Sequence, residues 1–464
     1  MKRALQILFH RLKNLSILAA LIFTSSASAD DAPAYPLKIG PTGRFLIDQK
    51  GKPFLIAGES PQAMMVNISE KDAELFLANR RSHHFNTAWI NLLCAKYTGG
   101  RADGSTIDGL RPFAGNFDFA SPDERYFAHC DRIIQLAAKH QTLVMLDPAE
   151  TGSFLEVMQK NGADKCRQFG RYLGKRYRSF DNILWFHGND YIKHTPENDK
   201  LVTAVALGIK EFDDRHLHTI EIDWEGTWAT SLDDERWVPI VGLSAAYTYK
   251  PVYLPILKDY NRKTDHRVPT FMVESSYEFE HLGGAQLGTP GQLRMQEYTS
   301  NLCGTTGQLY GNKYTWPFLA GWKDKLDTPG AVQMAHVQAL FEPRPWHELV
   351  PEQNHTVVTA GWGKFGEFDY APAARTSDGR LVMVYIPDKR TITVDMSKLS
   401  GPIHARWYDP ASGKFQEIGG AAAMPNAGSR KFTTPGDNAD GPGNSDWVLV
   451  LETVMTKEPS ARPR

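Results

Sequence analysis

From residue 54 to about residue 351, short apolar runs alternate with longer amphipathic ones, and this rhythm constrains the chain more than any other feature. A short apolar run between turn signals suits a strand buried on both faces, and a longer run with helical spacing suits a helix laid over it. The spacing predicts strands at 54–57, 87–93, 142–146, 183–186, 218–222, 240–243, 270–273 and 307–310. It predicts helices at 70–83, 122–139, 154–178, 199–213, 251–260, 290–302 and 329–341. The fifth crossover, 224–237, is poor in helix signal and reads mostly as loop. Repeated β-then-α units in this number predict an α/β fold, a parallel sheet closed into a (β/α)8 TIM barrel.

Beyond residue 351 the periodicity changes to two, with runs at 381–386, 391–394, 404–408, 414–417 and 448–451 separated by turns such as Asp378-Gly379. That pattern predicts a small antiparallel β-sandwich. The link at 352–359 holds no Gly/Ser or Pro-rich spacer, so the sandwich is expected to pack on the barrel. The segment 436–445, rich in Gly, Asn, Asp and Pro, lacks the alternating oxygen ligands of a calcium loop and reads as a plain solvated one.

The amino terminus carries Lys2, Arg3, Arg11 and Lys13, then the apolar stretch 15–23, then Ala27-Ser28-Ala29. This is the pattern of a secretory signal over 1–29, too short in its apolar part for a membrane span and without a lipoprotein cysteine. The expected mature protein is secreted or periplasmic and has no membrane anchor after signal cleavage. It would comprise a catalytic domain at 30–352 and an accessory sandwich at 353–464. Lysine plus arginine, 52, nearly balances aspartate plus glutamate, 53, so no long-range field recruits nucleic acid, and a neutral partner is expected. Cys94, Cys130, Cys166 and Cys303 show no metal-ligand spacing and read as buried thiols, with Cys130 and Cys166 the pair to inspect for a disulfide. No metal or other cofactor is implied.

In a barrel of this kind the chemistry sits at the carboxyl ends of the strands. The fourth predicted strand ends Ile183-Leu-Trp-Phe-His-Gly-Asn-Asp190, and the seventh ends Phe271-Met-Val-Glu-Ser-Ser-Tyr-Glu278. Each apolar run stops in a carboxylate, and strands four and seven face each other across the mouth. Hydrolysis of a glycosidic bond needs such a pair: one carboxylic acid to protonate the leaving oxygen, one carboxylate to attack the anomeric carbon or activate water. Asp190 and Glu274 are the candidates. An acidic residue at either place also suits a helix cap or an arginine partner.

The segments Gly43-Arg-Phe-Leu-Ile-Asp, Gly51-Lys-Pro-Phe, Trp185-Phe-His-Gly-Asn-Asp190, Glu274-Ser-Ser-Tyr-Glu278, Arg294-Met-Gln-Glu-Tyr and Gly307-Gln-Leu-Tyr-Gly311 resemble the apiosidase-like glycoside hydrolases. Tyr370-Ala-Pro-Ala, Asp378-Gly-Arg and Trp407-Tyr-Asp-Pro resemble the collagen-binding-type sandwich that often follows that barrel. The resemblance implies a retaining glycosidase acting on an oligosaccharide or polysaccharide of neutral or plant type, with Asp190 as acid/base and Glu274 as nucleophile. It implies that Asn189 bonds the hydroxyl next to the anomeric carbon. Tyr277 and Glu278 suit orienting the nucleophile, and Glu278 equally suits a helix cap.

The chain departs from the family in three places. Gly58-Glu59-Ser60 stands where the family shows Gly-Asp-Thr, which keeps an acid at Glu59. Glu221-Ile-Asp223-Trp224-Glu225-Gly-Thr-Trp228 replaces a His-Pro loop, and Ser244-Ala-Ala-Tyr247-Thr-Tyr249 replaces a polar stretch. Glu59, Asp223, Glu225 and Tyr247 are therefore candidate substrate contacts. Trp224 and Trp228 suit a sugar platform or core packing, and Asp147 a hydroxyl contact or a helix cap. His187 reads as a core histidine. A non-catalytic carbohydrate- or matrix-binding protein on a barrel scaffold is the alternative from another class, and the presence of both carboxylates weighs against it. A metal-assisted hydrolase would need a ligand cluster at a strand end, and none appears.

Overall fold

The computed structural model describes residues 32–222, 229–263, 265–282, 285–420 and 422–454. The signal-like segment and Asp223, Trp224, Glu225 and Trp228 lie outside the described residues.

Eight parallel strands form the central sheet. They are β1 (Ile56–Glu59), β2 (Thr87–Asn91), β3 (Leu143–Asp147), β4 (Ile183–His187), β5 (His218–Ile220), β6 (Ser244–Tyr247), β7 (Thr270–Glu274) and β8 (Gly307–Tyr310). Their order, β5-β4-β3-β2-β1-β8-β7-β6, is that of a TIM barrel whose seam falls between β5 and β6. The seam is bridged by the Gly242 N–H donating to the His218 carbonyl at 2.8 Å. Seven predicted strands coincide with observed ones to within a few residues. The sixth was expected at 240–243 and lies at Ser244–Tyr247 instead. Ile240 and Val241 are buried among the surrounding elements, whereas the strand itself begins Ser-Ala-Ala, small residues with little strand propensity of their own.

Helices α1 (Glu70–Ser82), α2 (Glu124–Lys139), α3 (Thr151–Tyr177), α4 (Pro196–Lys210), α5 (Tyr253–Tyr260), α6 (Pro290–Leu302) and α7 (Pro329–Phe341) surround the sheet. Side-chain caps from Ser69, Asp123, Glu150, Thr195 and Thr289 start five of them, and α4, α6 and α7 open with proline, where no backbone donor is needed. The predicted single helix at 154–178 is interrupted at Gly162, which has φ of 74°. The fifth crossover carries only a short 3-10 turn, Ser231–Asp233, among its described residues.

Inside the barrel Leu143, Met145, Leu184, Phe271, Val273 and Leu309 pack around Trp89, whose ring centroid is 4.3 Å from that of Phe186. Leu46 and Phe54, from a three-stranded antiparallel sheet near the start of the described residues, and Leu37 just before it join this cluster and plug the amino end of the barrel. Residue 54, expected to begin the first barrel strand, ends that small sheet.

The second module has a six-stranded sheet that includes Ala373–Thr376, Leu381–Ile386, Trp447–Thr453 and Ile403–Asp409, and a three-stranded sheet of Val358–Ala360, Thr391–Asp395 and Ser429–Thr433. One face of Leu381–Ile386 supplies Val382 and Val384 to the sandwich core. The other supplies Leu381, Met383 and Tyr385, which pack with Leu293, Tyr298, Val337 and Phe341 of α6 and α7. This double burial is why the segment reads as a continuous apolar run. Tyr298 and Tyr385 stack with centroids 5.6 Å apart. The sandwich is thus packed on the barrel, and the chain from Pro33 onward is one compact unit. The loop expected to be merely solvated is an anchor: Asp440 and Asp446 both pair with the buried Arg294 of α6, Asp446 in bidentate fashion at 2.8 and 2.9 Å. All four cysteines are buried and unbridged.

Candidate active site

Strand parity decides which side chains reach the mouth. Along a strand, alternate residues face the same side, so the inward set continues from the interior cluster. Trp89 leads to Asn91, and Met145 leads to Asp147. On β1 the inward position is Gly58, where a Cβ would fall 2.2 Å from Leu309, so Glu59 faces outward. There it pairs with Arg80 of α1 and accepts from Thr315. Glu59, expected to contact substrate, is instead a buried ion-pair residue between barrel and helix. On β4, Leu184 and Phe186 are interior and His187 faces out, where its Nε2 lies 3.0 Å from Nδ1 of His218. Burial lowers the His187 pKa to about 3, and the ring is a core histidine as expected.

By the same count Glu274 would face outward on β7. A β-bulge prevents this: Met272 pairs with Ala246 and Glu274 with Tyr247, so β7 advances two residues while β6 advances one. The bulge turns Glu274 into the mouth on the face of Tyr247. Its Oε2 accepts from the Tyr277 hydroxyl at 2.8 Å, and Tyr247 bonds it as well. Glu274 is 8% exposed. Burial, and after it the charge of Asp190, push its carboxyl well above the usual range, while the two tyrosines oppose the shift.

Asp190 arrives by a different route. Gly188, Asn189 and Asp190 all have positive φ, 99°, 61° and 54°. Gly188 is obligatory, because a Cβ would sit 2.0 Å from the Glu221 carbonyl oxygen. Asn and Asp tolerate the left-handed region better than most residues, and the surroundings hold them there. The Gly188 carbonyl accepts from Thr151 N at 2.8 Å, the Asn189 carbonyl from the Thr151 hydroxyl at 3.0 Å, and the Asp190 N–H donates to Glu221 Oε2 at 3.0 Å. Asp190 Oδ2 accepts from the Tyr97 hydroxyl. The start of α3 also fixes Tyr97: its N–H donates to Ser153 Oγ at 2.9 Å, and its ring packs where a side chain on Gly152 would stand.

Asp190 and Glu274 line one cavity of about 390 Å³. Asn189, Tyr247 and Tyr277 line it too, as do Gln62, Tyr97, Thr98, Tyr249, Glu280 and Trp316. Asn189 Nδ2 donates to Gln62 Oε1 at 3.3 Å. A second cavity of about 470 Å³ shares Tyr97 as a wall and is lined by Lys96, Phe117, Ser153 and Glu156. Of the expected site residues, Asp190, Glu274, Asn189, Tyr247 and Tyr277 come together here. Asp147 lies among the buried inward residues, one oxygen accepting from Ala149 N at 3.0 Å and the other without a partner among the described residues. Burial raises its carboxyl well above the usual range. Glu278 does not orient Glu274: it accepts from Thr328 at 2.6 Å and from Gly330 N at 3.0 Å and so caps α7.

Sequence reasoning passed over Glu221, Tyr97 and Trp316. Glu221 was findable, because it lies two residues beyond Thr219 on the inward parity of β5. Tyr97 and Trp316 sit in long loops after β2 and β8, where no periodicity marks which aromatic ring turns inward. Among the described residues, the group closest in type to a metal-ligand set, His194, Asp199 and Asp234, already surrounds Arg236, which pairs with both aspartates.

A TIM barrel with two carboxylates converging in one polar cavity at the strand ends defines a glycoside hydrolase. Residues 41–348 match the family model described as "Apiosidase-like, catalytic domain", and the chain belongs to that family. Residues 350–452 match the model described as "Putative collagen-binding domain of a collagenase". Among solved structures, the chain is similar to one titled a glycoside hydrolase, with TM-score 0.79 and 22% identity over 91% of this chain and 98% of that one. It is also similar to a glycoside hydrolase family 5 structure from Bacteroides vulgatus, with TM-score 0.77 and 21% identity over 90% and 93% of the two chains. At these identities the likeness establishes the fold. No curated protein matches the chain.

Proposed function

We propose that the protein is an exported, retaining glycosidase for a neutral or plant-type glycan, with Asp190 as acid/base and Glu274 as nucleophile. The observation that carries this reading is the convergence of the two carboxyls in one cavity, close enough that the charge of Asp190 acts directly on Glu274. Two such groups cannot both be ionised cheaply, which suits a site needing one acid and one nucleophile.

In the first step the Asp190 carboxyl gives its proton to the glycosidic oxygen while an oxygen of Glu274 bonds to the anomeric carbon and the leaving sugar departs. In the second, Asp190 takes a proton from water, whose oxygen attacks the same carbon and releases Glu274. Tyr277 and Tyr247 hold the Glu274 carboxylate in place. Asn189 bonds a hydroxyl of the sugar in the first cavity, Trp316 offers it an apolar face, and the leaving part extends past Tyr97 toward the second cavity. Asp223, Glu225, Trp224 and Trp228 remain proposed contacts from the loop after β5.

A defined panel of oligosaccharides tests the reading. Hydrolysis should be abolished in Glu274→Gln, and the first-formed product should keep the anomeric configuration of its substrate in proton NMR. Inversion, or full activity in Glu274→Gln, overturns it. Export is tested by fractionating cells that express the full chain, where a cytoplasmic, unprocessed product speaks against a cleaved signal.

A further inference from the structure

Glu221 is a third carboxyl at the mouth, and the mechanism above gives it no task. It follows β5 directly, is fully buried, and is built into the Asp190 loop from both sides. Its N–H donates to the His187 carbonyl at 2.9 Å, its own carbonyl is the surface against which Gly188 packs, and its Oε2 accepts the Asp190 N–H at 3.0 Å. Its Oε1 has no partner among the described residues.

The groups facing it are of one kind. Asp147 stands at the end of β3, Asp190 follows β4, and Glu274 ends β7. The phenols of Tyr97, Tyr247 and Tyr277 face it from the loop after β2, from β6 and from beyond β7. His187 turns its ring outward from β4. None of the charges bearing most strongly on Glu221 is a cation. An ionised carboxylate buried without a counter-ion is costly, and a neighbouring carboxylate adds to that cost, so such a group keeps its proton. Burial first and the Glu274 and Asp190 charges next push the Glu221 carboxyl well above its usual range, in the same direction.

We propose that Glu221 is a positioning residue that works as a neutral carboxylic acid. Its Oε2 holds the Asp190 amide and so fixes the left-handed loop that aims the acid, while its Oε1 carries the proton behind the cavity wall, among the carboxyls of Asp147, Asp190 and Glu274. A buried carboxyl kept neutral by its surroundings can brace a site without adding a charge to it. The proposal rests on the reading of Asp190 as the acid.

Its test is a pair of variants, Glu221→Gln and Glu221→Ala, and a pair of substrates carrying the sugar released from the oligosaccharide panel. One is the dinitrophenyl glycoside, whose leaving group needs no proton, and the other is the unactivated disaccharide. The glutamine amide keeps an oxygen for the Asp190 N–H and an N–H in place of the O–H, so Glu221→Gln should keep kcat/KM within about threefold on both substrates. Glu221→Ala should lose about tenfold or more in kcat/KM on the disaccharide and less than about threefold in kcat/KM on the dinitrophenyl glycoside, because kcat/KM reports the first step and leaves out the later one in which Asp190 acts as base. A Glu221→Gln variant as impaired as Glu221→Ala overturns the proposal, because the charge would then be needed. So does an equal loss on both substrates, if Asp190→Asn is leaving-group selective. An Asp190→Asn variant whose kcat/KM falls equally on both substrates removes the reading of Asp190 as acid, and the proposal falls with it. A second measurement needs no substrate: in the infrared spectrum at neutral pH, the wild-type protein should show a protonated-carboxyl band that is missing from Glu221→Gln. Loss of a carboxylate band instead overturns the proposal.

Discussion

Replacing Gly311 with alanine should unseat the proposed nucleophile without touching it. Gly311 follows β8 and does not have a positive φ, so an alanine there meets no backbone objection. Its Cβ, however, would lie 2.1 Å from Cδ1 of Tyr277 and 2.3 Å from Cε1 and Cγ. Non-bonded carbons approach to about 3.5 Å, so the ring must retreat by roughly 1.4 Å. The Tyr277 hydroxyl stands 2.8 Å from Glu274 Oε2. A retreat of that size stretches the contact to about 4 Å, beyond any hydrogen bond. A hydrogen bond to a charged group contributes about 1.5–3 kcal/mol, so kcat/KM should fall by about tenfold to a hundredfold. The assay compares Gly311→Ala, Tyr277→Phe and the double variant at a temperature well below each melting transition, since overpacking by itself costs about 1–3 kcal/mol of stability. If both act by breaking the same bond, the double variant should be no worse than the poorer single one. Gly311→Ala within threefold of wild type, or losses that multiply in the double variant, would refute the reasoning.

Tyr247→Phe removes a hydrogen bond to the ionised form of Glu274, which had been lowering its pKa. The acid limb of kcat/KM should therefore move to higher pH, by about 1–2 units for a bond of 1.5–3 kcal/mol, and a shift to lower pH would contradict the assignment. Burial raises the Glu150 carboxyl from 4.5 to about 7, so it binds its proton more tightly folded than unfolded. The stability this lends is present below the unfolded pKa and is lost as pH rises through the folded one. Between about pH 4 and pH 8, Glu150→Gln should thus gain about 3 kcal/mol relative to wild type in denaturant titrations, and a pH-independent difference would count against it. Asp446→Ala leaves Arg294 with much of its buried pairing gone and should cost about 3–5 kcal/mol, seen as a lower Tm of barrel and sandwich together. Separate transitions, with the barrel unchanged, would show that the interface does not couple them.

Much of the fold was legible because burial on both faces makes barrel strands into apolar runs, and helix caps mark where the crossovers begin. The run at 307–310 and the helices at 290–302 and 329–341 fall on the observed elements. The sixth strand was misplaced because periodicity follows apolar residues, and here they lie just before the strand. The strands at 358–360 and 429–433 were missed for a related reason: their pairing with Thr391–Asp395, more than thirty residues away, supplies what their own sequences lack, and the strand at 373–376 is held by its hairpin with Leu381–Ile386.

The site divides along the same line. Asp190 and Glu274 could be named from sequence, since a carboxylate ending an apolar strand of a barrel falls at its mouth. Which way each side chain turns could not. Glu59 and Glu274 both end strands, yet one faces Arg80 and the other the cavity, because β7 carries a bulge that β1 does not. Tyr97 reaches Asp190 across 93 residues of sequence, held by the start of α3, and Glu221 braces the same loop from the adjoining strand. Local sequence sets the alternation of burial that makes strands and helices. The direction of a side chain at a strand end depends on register, bulges and backbone sign, which are fixed only when distant segments pair and pack.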